Sequence, residues 1–138
     1  MNEEIVNKLL EIAHNLNIEV FWSDQLNKYT PPAASPKFNS IVMNTNWYKR
    51  SEIPFQLAHE LAHIINKDPD NVAFYHATFK GKSYYESAAN EKAISILIPI
   101  YFDEIEKNKA FVFDFMENLC IPAYLEKNVT EKIKTFYE

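Results

Sequence analysis

Glycine occurs once in the 138 residues, as Gly81, against seven prolines. Low-complexity linkers are thereby excluded, and most of the backbone must sit in regular elements or well-formed turns. Cysteine also occurs once, as Cys120, so no intramolecular disulfide is available. Arginine occurs once, as Arg50, which leaves bidentate reading of bases and a phosphate-tracking stripe poorly supplied. Direct nucleic-acid binding is therefore not expected. The longest apolar run, Ala93 to Phe102, is about half a membrane span and holds Ser95 and Pro99. The first residues carry Glu3 and Glu4 where a secretory signal would carry positive charge. These absences predict a soluble, cytoplasmic protein with no membrane association.

What is present is ordinary globular composition, 47% hydrophobic and 24% charged, in a length that suits one domain over residues 1–138. Such a chain buries roughly two thirds of its unfolded surface, enough for a core without staples. The net charge of −5 arises wholly downstream of residue 50, since the first 50 residues hold five acids and five bases.

Ile5, Val6, Leu9, Leu10, Ile12, Ala13 and Leu16 recur at helical spacing over residues 3–16, with Asn2 as a cap. His14 on that helix reads as a surface residue. Ile18 to Trp22 is branched and aromatic and predicts a strand, as does Ser40 to Asn44. Between them Thr30 to Phe38 holds Pro31, Pro32 and Pro36 and is expected to be loop. Ser51 is placed to cap a helix carrying Pro54 in its first turn and running to a stop at 66–71. Gly81 marks a turn, and Ser83 is expected to start a helix running towards Pro99. Short helices follow over 102–107 and 111–119, then one from Pro122 to Phe136.

The second of these helices contains His59-Glu60-Leu61-Ala62-His63, the H-E-x-x-H pattern, which chance supplies in roughly 1% of chains of this composition. At about 100° per residue, positions i and i+4 lie some 40° apart, so both imidazoles can reach one ion at roughly 2.0 Å. Glu60 projects beside the ion, where it can accept a proton from water. Two histidines do not hold zinc alone, and a third protein ligand must come from elsewhere. Glu86 is the best candidate, because Ser87, Ala88 and Ala89 permit close approach of its helix. Equally, Ser83-Tyr84-Tyr85-Glu86 can form a capping box that occupies Glu86 with the Ser83 N–H. Glu91 and Asp68 are lesser competitors. Asn90 is a candidate to accept the distal N–H of a ligating histidine and fix its ring.

Phe55 to His63 together with Glu86-Ser87-Ala88-Ala89-Asn90-Glu91-Lys92-Ala93, ending in Leu97-Ile98-Pro99, resembles the ImmA/IrrE metallopeptidases, bacterial regulators of mobile elements and stress responses. The resemblance spans about residues 40–136, including the Ile121-Pro122-Ala123-Tyr124-Leu125 segment. It implies a minimal zincin-like (gluzincin) peptidase domain of the α+β class, mostly helical with a small antiparallel or mixed sheet. It further implies one Zn2+ per chain held by His59, His63 and Glu86, with Glu60 as catalytic base. The implied substrate is an Xre-type helix-turn-helix repressor, often encoded nearby. Lys92 stands where that family commonly has an aromatic, and no added DNA-binding or sensory domain is expected.

On this reading zinc lowers the pKa of a water and polarises the scissile carbonyl, and Glu60 shuttles the proton. A further donor to the oxyanion is expected from His76, Tyr84 or Tyr85. The Ser40 to Asn44 strand is expected to offer an edge to an extended substrate, and the net negative charge favours encounter with a basic repressor. The rival from another class is a non-catalytic protein in which zinc merely ties two helices and a repressor is sequestered. Glu60, which a structural site does not require, argues against it. A third reading is an interaction protein with no metal.

Overall fold

A stripe of Ile5, Leu9 and Ala13, one residue per turn, is buried when residues Asn2–Asn15 coil into helix α1. The architecture is taken from a computed structural model that describes residues 2–70 and 79–138, with side chains over 2–70 and 84–138. The helix stops at Asn15, so Leu16 falls outside the buried stripe and stands 48% exposed. His14 is exposed, as expected.

Strand β1 (Glu19–Ser23) follows, then β2 (Ala33–Ser35) and β3 (Ser40–Asn44), in a mixed sheet of order β1-β3-β2. β1 lies parallel to β3 and β2 antiparallel to it, in registers that align Val20, Ile41 and Ala34 on one face and Phe21, Val42 and Ala33 on the other. Ile41 and Met43 are fully buried against the helices, whereas Phe21 and Val42 look outward. β2 corrects the expectation of loop throughout residues 30–38. Its three residues escape Pro31, Pro32 and Pro36, and an edge strand tolerates neighbouring prolines because one row of its N–H groups needs no partner. β3 lies at the centre and so has no free edge; the edge expected of it belongs to β2.

A parallel β1–β3 pair requires the intervening chain to cross to the far side of β3. Two asparagine side chains hold that crossing. Buried Asn44 donates from Nδ2 to the carbonyls of Asn27 (2.8 Å) and Thr30 (2.9 Å), and Asn46 donates to those of Asp24 (2.7 Å) and Leu26 (3.1 Å).

Helix α2 (Ile53–Ile65) is entered through a 3-10 turn at Arg50–Glu52, with Pro54 in its first turn. Ser51 therefore lies within that turn and does not cap the helix; its hydroxyl accepts from Cys120 Sγ at 3.3 Å. Helix α3 (Phe79–Tyr101) begins four residues before Ser83 and runs through Gly81, which makes no turn. Glycine inside a helix costs about 1 kcal/mol relative to alanine, a cost offset by the packing of Ala89, Ala93, Ile94 and Leu97 in the core. Residues 102–107 do not form the expected helix. The chain turns there so that buried Phe102 lies 5.2 Å, ring to ring, from Phe115 of helix α4 (Val112–Asn118). A 3-10 turn at Ala123–Leu125 leads into helix α5 (Glu126–Phe136), and Tyr137 donates to the Ile105 carbonyl at 2.6 Å.

The class is thus α+β, mostly helical with a small mixed sheet. Helices α2 and α3 form its central layer, with the sheet and α1 against α2 and with α5 against α3. Among the described residues no helix is long and apolar enough to cross a membrane.

Candidate metal centre

Ala58 and Ala62 on α2 and Ala89 and Ala93 on α3 are fully buried, and such small side chains let two helix backbones approach closely. The approach brings Glu86 opposite His59 and His63. The two Nε2 atoms stand 3.1 Å apart, Glu86 Oε2 lies 2.9 Å from His59 Nε2, and Glu86 Oε1 lies 3.3 Å from His63 Nε2. Because Ser83 is inside α3, the capping box is not formed, and the Glu86 carboxylate faces the histidines instead.

The end of α2 supplies a fourth participant. Lys67 adopts a left-handed conformation (φ 58°), its N–H bonds to the Ile64 carbonyl, and the Asp68 N–H bonds back to the His63 carbonyl. This paired closure of a helix C-terminus returns the chain over its own last turn. It carries the buried Asp68 to His63, whose Nδ1 donates to Asp68 Oδ2 at 2.7 Å. A carboxylate only accepts, so neutral His63 carries its proton on Nδ1 and turns a lone pair on Nε2 towards His59 and Glu86.

Glu60 completes the cluster at 8% exposure. Burial raises its carboxyl to about 7, against the lowering charges of His59 and His63 and with a further rise from Glu86. For His63, burial acts to lower the pKa but is outweighed by hydrogen bonds to Glu86 and Asp68 and by the charges of Glu60 and Glu86, giving about 9. Hydrogen bonds from His59 and His63 hold Glu86 well below the usual carboxylate range. The two glutamates thus shift in opposite directions, Glu86 towards the anion and Glu60 towards the protonated form.

Ligand atoms of His59, Glu60 and His63 all lie within 4.8 Å of one another, close enough to hold a metal ion. His59 Nε2, His63 Nε2 and the Glu86 carboxylate suit the same purpose. The two Nε2 atoms stand 3.1 Å apart, with Glu86 Oε2 2.9 Å from one and Oε1 3.3 Å from the other, and a tetrahedral ion with bonds of roughly 2.0 Å separates its ligands by about 3.3 Å. The donor set of imidazoles and carboxylate suits such an ion.

The cluster lies on the floor of a cleft of about 590 Å3. Pro31, Pro32, Ala33 and Ala34 of the β2 region line it, as do Cys120 and Pro122. Asn90 lines this cleft, but its Nδ2 donates to the Tyr124 hydroxyl at 3.3 Å. The ring-orienting role expected of Asn90 is filled at His63 by Asp68. Glu91 accepts from Asn128 and lines a different hollow, and Asp68 bonds the far nitrogen of His63, so neither competes as a third ligand. Tyr84 and Tyr85 also line that other hollow and not the cleft. His76 lies outside the described residues. Sequence reasoning missed the part played by Asp68, although an acid two residues beyond a helix-ending Asn66 is the signal that finds it. Tyr124, in the segment that closes the resemblance, was visible only as a motif residue.

No protein-family model matches the chain, nor does any curated protein or solved structure.

Proposed function

We propose that the chain is a zinc-dependent endopeptidase of zincin-like (gluzincin) architecture whose substrate is a helix-turn-helix repressor. The observation that carries the reading is the division of labour between two carboxylates around one pair of histidines. Glu86, anionic and 2.9 Å from His59 Nε2, suits a ligand; Glu60, buried and raised to about 7, suits a general base. Bound by His59, His63 and Glu86, zinc would supply Lewis acidity towards a water and a scissile carbonyl.

Every other task falls to the chain itself. Asp68 holds His63 with its lone pair facing inward. Glu60, buried beside both histidines, takes a proton from the attacking water and returns it to the leaving amine. The cleft wall at Ala33 and Ala34 belongs to the edge strand β2, whose unpaired row can take an extended segment as an added strand. The substrate class rests on the resemblance of Phe55 to His63 and Glu86 to Pro99 to the ImmA/IrrE metallopeptidases, and the net charge of −5 suits a basic partner.

The test pairs metal analysis with cleavage. Purified protein is expected to hold one zinc per chain, to lose it in Glu86→Ala, and to keep it in Glu60→Gln while hydrolysis of a neighbouring helix-turn-helix protein stops. Wild-type protein that binds that repressor without ever cutting it would instead support the sequestering alternative.

A further inference from the structure

Two hollows meet at Pro69, which lines both. The cleft over the metal centre contains Glu52, Asp70, Glu60 and Glu86 and, among the described residues, no lysine or arginine. The second hollow, of about 770 Å3, is lined by Lys67, Lys92 and Lys132. These three come from the end of α2, from α3 and from α5. Among the described residues none of them forms an ion pair with a carboxylate. The two acids in this hollow are already engaged, Asp68 by His63 Nδ1 at 2.7 Å and Glu91 by Asn128 Nδ2 at 2.8 Å. In a chain of net charge −5, three uncompensated ammonium groups beside an acidic cleft form a local reversal of sign.

We propose that the lysine-lined hollow is an exosite for an acidic segment of the polypeptide whose apolar segment occupies the cleft. The inference rests on the peptidase reading of the cleft and adds to it a substrate class. Pro69 is shared by the two linings, so the segments that occupy them can belong to one polypeptide. Cations on three separate elements suit several carboxylates along one chain better than a single phosphate. The lining sets direction, because an acidic segment finds no lysine or arginine among the described residues of the cleft and an apolar segment finds prolines and alanines there.

The test reads binding and not cleavage, and it is run with and without added zinc, so it stands apart from the fate of the peptidase reading. Glu60→Gln is titrated, by fluorescence anisotropy, into a labelled apolar peptide extended at either end by a run of Glu or of Gln. Each exposed pair is worth a factor of roughly two to three, so the Glu peptide in the favoured direction should bind about tenfold more tightly at low salt. The preference should shrink at about 0.5 M salt, where the Debye length falls to roughly 4 Å. It should vanish in Lys92→Glu/Lys132→Glu, with Lys92→Gln/Lys132→Gln intermediate and zinc content unchanged in both. Equal binding of Glu and Gln peptides in both directions overturns the proposal, as does a preference that survives both double variants. Tighter, lysine-dependent binding of oligothymidylate than of the Glu peptide would assign the hollow to nucleic acid and also overturn it.

Discussion

Removing the Asp68 carboxylate tests the centre at the point where structure and sequence diverge most. Asp68 is 7% exposed and accepts from His63 Nδ1 at 2.7 Å, while the His63 side chain is itself only 12% exposed. Water therefore has poor access to replace the lost acceptor. Loss of such a partner costs roughly 10- to 100-fold in metal affinity, or about 1.4 to 2.7 kcal/mol. Asp68→Ala should fall near the upper end of that range, because the abandoned N–H also stays buried. Asp68→Asn keeps an acceptor and loses the charge, and should fall near the lower end. The closure of α2 ought to survive both changes, since its bonds from Lys67 to Ile64 and from Asp68 to His63 are backbone to backbone. Zinc affinity is measured by competition with a chromophoric chelator, and helix content by circular dichroism. A zinc affinity for Asp68→Ala within about threefold of wild type, with helix content unchanged, would refute the reasoning.

Two further outcomes follow from the same geometry. His63 is raised to about 9 from 6.5 and Glu60 to about 7 from 4.5, so in chelator-treated protein these two groups bind more protons in the folded state than in the unfolded. The Glu60 contribution to stability is complete below pH 4.5 and lost by about 7, and that of His63 is complete below 6.5 and lost by about 9. Zinc requires neutral His63, so the rise in Tm on adding zinc should grow from pH 6.5 to 9, whereas a pH-independent rise counts against His63 as ligand. Asp70 accepts from Ser35 Oγ and, at 2.8 Å, from the Lys37 N–H, and so pins the turn after β2 to the loop after α2. Asp70→Ala should raise KM several-fold with kcat and zinc affinity unchanged, at a stability cost of about 1 kcal/mol because both bonds are exposed. An equal fall in zinc affinity would show that residues 68–70 move as one unit.

Local periodicity was enough to place His59, Glu60 and His63 on one helix, because i, i+4 geometry is a property of the helix and needs no partner. The same holds for the stripe of α1 and for the branched runs that became β1 and β3. Whether Glu86 capped its own helix or faced α2 could not be decided locally. The answer turned on α3 beginning before Ser83 and on the packing of its Ala89 and Ala93 in the core with α2. β2 was hidden for a related reason, since three residues between prolines become a strand only when β3 offers them a ladder. Asp68 could be named as an acid near the site but not given its task, which depends on a left-handed Lys67 folding the chain back. The charge reversal across Pro69 lies furthest from the sequence, because its three lysines stand at positions 67, 92 and 132 and meet only through the packing of three helices. Sequence spacing encodes what one element does alone, and contacts between elements distant in the chain decide which of its side chains share a surface.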